Sequence, residues 1–147
     1  MKKIYFVILL VVLISPSYNK AVGQTSSDWA FIGLTVSGTN ISEGIEAFYQ
    51  SGTCNGKDVI YLKFINHNKY AVKLEWSDAM FTQDLKWFYR DKAVDKKSLT
   101  IPANSEAKGE CSNSSTSQLL VEIKDFITDK SNFKRYSASD LKITPIQ

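Results

Sequence analysis

One histidine, His67, two cysteines, Cys54 and Cys111, and three prolines stand in a chain of 147 residues. A single imidazole cannot serve both as a catalytic base and as one of several metal ligands. Two cysteines and one histidine do not complete a four-ligand zinc site without a carboxylate. The cysteines are far apart, so there is no C-x-x-C redox pair, and a thiol nucleophile would have only His67 as its imidazole base. Also missing are G-x-S-x-G, H-E-x-x-H, a phosphate loop, a dinucleotide fingerprint and a D-x-D-x-D-G calcium loop. The 15 carboxylates could supply an acid/base pair of the glycosidase type, but most fall in turns or in the outward phase of strands. The sequence thus assigns no catalytic residue, no metal ligand and no cofactor. A small hydrolase ranks behind every non-catalytic reading.

Long apolar runs are scarce as well. The one that exists, "IYFVILLVVLI" from Ile4 to Ile14, follows the basic start "MKK" and is eleven residues long. A spanning helix needs about 20 apolar residues, whereas this is the length of a signal-peptide core. Ala21 and Gly23 place small residues at the −3 and −1 positions of a cut before Gln24. The segment resembles a bacterial export signal, so residues 1–23 are expected to be removed. Residues 24–147 should then form one β domain that is periplasmic, displayed on the cell surface or released, with no stable membrane insertion. An uncleaved anchor is the alternative.

Cleavage also removes the net charge. Lys2, Lys3 and Lys20 leave, and no acid does, so 18 − 3 = 15 Lys and Arg face 15 Asp and Glu. A neutral protein has no overall field to draw in nucleic acid or anionic lipid. The nearest approach to a basic cluster, "DKAVDKK", offsets three lysines with two aspartates and suits a solvated turn. In an oxidising compartment an even pair of cysteines implies a disulfide, here Cys54–Cys111.

What the chain does have is alternation with period two. "WAFIGLTV", 29–36, puts Ala30, Ile32, Leu34 and Val36 in one phase. "IEAFYQSGTC", 45–54, alternates too, although Asn40 with Glu43 resembles a capping box and Ile41, Ile45, Phe48 and Tyr49 share a helix face. Gly44 and Gly52 weigh against the helix. "VIYLKFIN", 59–66, is apolar in both phases, as a central strand covered on both faces would be. "YAVKLEW", 70–76, alternates cleanly, and the turn formers "NHNK" between them predict a hairpin over 59–76 with His67 at its tip. Leu99 and Ile101 point inward before Pro102. Ala107, Gly109 and Cys111 share an inward phase. Leu119, Val121 and Ile123, then Leu141 and Ile143, complete the pattern.

About seven to eight short strands with no convincing helix predict an all-β, two-sheet antiparallel sandwich, immunoglobulin-like in outline, with one disulfide. Trp76 lies between the cysteines, as an immunoglobulin tryptophan does. Position 109, two before Cys111, is Gly where an antibody domain has Tyr.

"FTQDLKWFYRD", 81–91, is the richest aromatic segment. As one strand it places Leu85, Trp87 and Tyr89 on the core face and Phe88 on the polar face between Lys86 and Arg90. An exposed planar ring can hold a sugar or anchor a partner protein, so Phe88, Lys86 and Arg90 form the candidate binding surface. A neighbouring loop covering Phe88 is the structural alternative. A second candidate surface comprises His67 and the loops near 91–97 and 111–118, since loops at sandwich ends often carry recognition. The expected function is that of an exported non-catalytic binding module for a surface glycan or a protein. The alternative is a structural accessory protein of the cell envelope.

Overall fold

The computed structural model describes residues 28–33, 41–90 and 96–146. The signal segment 1–23, the residues of the first expected strand beyond Gly33, and most of the 91–97 loop lie outside the described residues. In chain order the strands are β1 (Ala30–Phe31), β2 (Ile41–Ser42), β3 (Ile45–Cys54), β4 (Lys57–Asn66), β5 (Ala71–Thr82), β6 (Trp87–Tyr89), β7 (Lys97–Ile101), β8 (Ser105–Lys108), β9 (Leu120–Glu122) and β10 (Phe133–Ile146). They form two antiparallel sheets: six strands built around β3 and β4, and four built around β5 and β10. The fold is the expected two-sheet β-sandwich, with ten strands and three short 3₁₀ segments among the described residues. Among these residues no helix is long and apolar enough to cross a membrane.

Two tight turns decide the first sheet. Glu43 and Gly44 have φ of 48° and 75°, and Asn55 and Gly56 have 50° and 76°. Paired positive φ values are those of the two-residue hairpin turns that match strand twist. The first turn joins β2 to β3, so residues 45–54 are a strand and Glu43 belongs to a turn, not a helix cap. The second joins β3 to β4, which pair along their whole length from Cys54↔Lys57 to Ile45↔Asn66. Gly52 is required there because a Cβ would lie 2.8 Å from the Tyr61 ring, whose hydroxyl donates to the Thr53 carbonyl at 2.8 Å.

The hairpin expected over 59–76 does not form. β4 and β5 lie in different sheets, and "NHNK" carries the chain from one layer to the other. Both edges of β4 are occupied: β3 takes one, and β8 and β9 share the other, at Lys63–Asn66 and Val59–Tyr61 respectively. Of its two phases, Ile60, Leu62 and Phe64 are buried between the sheets, while Tyr61, Lys63 and Ile65 on the other face are half-buried. The crossing is held by Asn66, whose buried amide donates to the carbonyls of Tyr70 (2.9 Å), Ile101 (3.2 Å) and Pro102 (2.9 Å) and accepts from the Asn68 amide at 2.9 Å. The His67 amide donates to the Gly44 carbonyl at 2.9 Å, which docks the crossing on the first hairpin.

The core lies between the sheets. Ile45, Ala47, Ile60, Leu62 and Phe64 from one face meet Val72, Leu74, Trp76, Met80 and Tyr136 from the other. Trp76 packs on Phe64 with ring centroids 5.1 Å apart. Leu119, Val121 and Ile123 point inward as their spacing predicts, as does Ile101.

Asp78 sits fully buried in this apolar interior. Its Oδ1 accepts from the Tyr136 hydroxyl at 2.5 Å and from Trp76 Nε1 at 3.3 Å. Its Oδ2 pairs with Lys97 Nζ at 2.7 Å, and the Lys97 side chain is only 13% exposed. The Lys97 contact is an ion pair, not an aligned hydrogen bond. It joins β7 to the β5 and β10 partners of the same carboxylate.

The Cys54–Cys111 disulfide forms, with Cα atoms 5.4 Å apart. It is not in the core. Cys111 is exposed and Cys54 half-buried, because the chain leaves the β8 pairing after Lys108. Gly109 donates to the Leu62 carbonyl at 2.9 Å, and a Cβ there would meet the Leu119 carbonyl oxygen at 2.5 Å. Position 109 therefore has no room for the tyrosine of an antibody domain, and the bridge staples the end of β3 to the segment leading into the 3₁₀ turn at Ser114–Leu119.

Removing one partner of a buried charge pair costs about 3–5 kcal/mol. Asp78→Ala should lose that much stability in urea denaturation, and Asp78→Asn, which keeps an acceptor for Tyr136, should lose less. The double substitution Cys54→Ser with Cys111→Ser should lower stability by about 2–4 kcal/mol, the chain-entropy value for a loop of this length being at the top of that range.

Candidate functional site

The segment 81–91 is two strands and a turn. Leu85 has φ of 64°. The Thr82 amide donates to the Lys86 carbonyl at 3.0 Å, and the Lys86 amide donates back to Thr82 Oγ1 at 3.2 Å. Asp84 accepts from Asn132 Nδ2 at 3.1 Å and pairs with Lys86 Nζ at 2.8 Å, and the Gln83 amide donates to the Asn132 carbonyl at 2.8 Å. The turn is thus tied to the residue preceding β10.

This turn sets β6 in register with β5 as Phe81↔Trp87, Met80↔Phe88 and Ala79↔Tyr89. Met80 points into the core, so Phe88 faces the core side, and Trp87 and Tyr89 face outward. The expected phase is inverted. Leu85 is 69% exposed, Tyr89 54% and Trp87 37%, and none of the three is a core residue. A slip of one residue exchanges the two faces of a strand, and with aromatics at all three of positions 87–89 the alternation carried no phase.

The outer face of the second sheet consequently bears a strip of rings. Phe81 and Trp87 have centroids 4.9 Å apart, and Trp87 and Tyr89 lie 6.0 Å apart with planes inclined by 26°. Across β5, Arg135 pairs with Phe81. Its guanidinium carbon is 4.8 Å from the Phe81 centroid and 5.1 Å from that of Trp87, and Lys134 Nζ is 5.6 Å from Phe81. Beside the rings the strand rows carry Ala79 and Ser77 on β5 and Ser137 and Ser139 on β10. Of these, Ala79 and Ser77 are buried and Ser137 and Ser139 half-buried, and Ser139 Oγ donates to the Ser77 carbonyl at 3.0 Å.

The sequence-predicted candidates are not brought together. Phe88, 36% exposed, lies at the Met80 end of β5, while His67 precedes the opposite end, paired with Glu46 at 3.1 Å. Lys86 is held by Asp84. Arg90 is paired with Asp125 and lies over the Phe126 ring at 5.1 Å. Phe81 and Arg135 are the residues that sequence reasoning missed. Asp84, a turn former midway between Phe81 and Trp87, was the available signal for the first. For Arg135 there was none, because its place depends on the pairing of β10 with β5.

Two clefts lie elsewhere. One of about 380 Å³ is lined by Lys57, Asp58, Lys124 and Lys130 among others. Its lysines are already paired: Lys57 and Lys124 share Glu122 at 2.6 and 3.1 Å, and Lys130 meets Asp58 at 2.9 Å. The other, about 290 Å³, lies on the outer face of the first sheet between Trp29, Tyr61 and Lys108. There Lys63 Nζ sits 4.9 Å from the Trp29 centroid and 4.4 Å from that of Phe48, and Phe48 packs on Phe31 at 4.9 Å. Among the described residues no cluster of three His, Cys, Asp or Glu is placed to hold a metal.

No protein-family model matches the chain, and neither a curated protein nor a solved structure matches it.

Hydrogen bonds from Lys86, Thr82 and Asn132 hold the Asp84 carboxyl well below the usual carboxylate range. A depressed folded pKa adds stability above the unfolded value of about 4, and that stability is lost as pH falls toward the folded value. Melting temperatures from pH 5 to pH 2 should therefore fall more steeply for the wild type than for Asp84→Asn, and the gap between them should close toward the acid end.

Proposed function

We propose that this protein is an exported, non-catalytic binding module that holds a glycan on the Phe81–Trp87–Tyr89 strip. The observation that carries the reading is the strip itself: three contiguous rings on the outer sheet face, two of them with planes within 26° of parallel. Aromatic rings present a broad apolar plane next to a polar edge, which matches the apolar face and hydroxyl rim of a pyranose. Beside the rings the half-buried Ser137 offers a hydroxyl for hydrogen bonding. Export rests on the N-terminal segment and is compatible with the Cys54–Cys111 disulfide. No catalytic residue is assigned.

A second reading draws on the outer face of the first sheet, where Phe31 and Ile41 are exposed beside Phe48 and Trp29. That face would suit a structural accessory protein packed against an envelope partner, and copurification with one protein at fixed stoichiometry would favour it.

The test is depletion of oxidised residues 24–147 from solution by a panel of polysaccharides, peptidoglycan and cell-surface extract. One glycan class should deplete the wild type. Trp87→Ala and Tyr89→Ala should each weaken retention roughly tenfold or more, as loss of a ring anchor does, and Phe88→Ala should leave it nearly unchanged. Loss in Phe88→Ala with retention in Trp87→Ala would return the site to the inner phase of β6.

A further inference from the structure

We infer that the glycan held on this strip is anionic, a polysaccharide carrying carboxylate or sulfate groups, and that Arg135 is the residue that selects it. The inference rests on the glycan reading and adds the ligand's charge. Lys57, Lys86, Arg90, Lys97 and Lys130 each have a carboxylate partner, whereas Lys63 and Lys108 meet rings on the other sheet. Arg135 and Lys134 have none among the described residues. They meet ring faces instead, at 4.8 and 5.1 Å for Arg135 and 5.6 Å for Lys134.

A guanidinium stacked on two rings keeps its in-plane N–H fork directed away from them. That fork is complementary to the two oxygens of a carboxylate or sulfate. The stacking also orders the side chain before any ligand arrives, which lowers the entropy lost on binding. A pyranose lying on Trp87 would therefore set an acidic ring substituent against Arg135. The rows next to Arg135 on this face are Ser137 and Ser139, which carry no competing charge. The nearest carboxylate of the adjoining turn, Asp84, is already held by Lys86 and Asn132.

The experiment compares matched polymers that differ in charge alone. Titration calorimetry with residues 24–147 would use polygalacturonate against its methyl ester, and dextran sulfate against dextran. The wild type should prefer the acidic member of at least one pair by about tenfold, the scale of one hydrogen bond to a charged group, and the preference should shrink with added salt. Which pair shows it separates carboxylate from sulfate. Arg135→Gln should abolish the preference while leaving the weaker affinity for the neutral polymer in place. Arg135→Lys, which keeps the charge without the fork, should retain only part of it, and unchanged circular dichroism and melting would show that both variants fold.

Equal binding of acidic and neutral polymers, lost in Trp87→Ala but indifferent to Arg135→Gln, would overturn the anionic assignment and leave the glycan reading standing. Acidic binding that survives Trp87→Ala would be simple ion exchange and would overturn it as well. Retention of no polymer of either kind would sink both readings together.

Discussion

The buried carboxylate of Asp78 is the constraint on which the second sheet depends. One oxygen takes the hydroxyl of Tyr136 and the indole of Trp76, and the other takes the ammonium of Lys97. Three strands therefore have a residue whose orientation is chosen by a charge, not only by hydrophobicity. A buried ion pair adds little net stability against an apolar substitute. Its value is in what it forbids. β5 cannot slip by one residue without exposing Asp78, and β10 and β7 cannot slip without withdrawing Tyr136 or Lys97. With Asp78 inward, Phe81 must face outward; with Tyr136 inward, so must Arg135. The surface strip is the reverse side of the buried network.

The turn at Gln83–Lys86 extends this logic to β6. Its bonds to Thr82 and Asn132 fix how far back the chain folds, and so which residues of "WFY" are displayed. Two independent features, a buried charge and a tight turn, thus converge on one exposed face. The ring planes and the guanidinium over them are positioned by the β5–β6 and β5–β10 pairings.

Much of the architecture was legible in the sequence. The period-two alternation marked β3, β5 and β7, an apolar run marked β4, and the two glycines at 44 and 52 rightly weighed against a helix. The disulfide followed from compartment and parity. Less could be read where local pattern is silent about partners. "NHNK" suits a hairpin and a crossing between sheets equally well, and only the side chain of Asn66, reaching carbonyls 35 and 36 residues away, decides for the crossing. Cys111 shared a phase with Ala107, but a phase inferred along a strand lapses where the strand ends, at Lys108. Within the strip, the aromatic composition drew attention to the right segment, and the same composition concealed its phase.

The position of the disulfide has a mechanical consequence. Cys54 and Cys111 are 57 residues apart, and β4 through β8 lie inside the covalent ring they close. A pull on the chain to either side of the bridge is carried by the disulfide, and the ring withholds roughly 200 Å of contour from extension. Phe81, Trp87 and Tyr89 are inside that ring and Arg135 is outside it. Parting β10 from β5 would therefore separate the guanidinium from the rings while the rings remain on their own covalently closed segment.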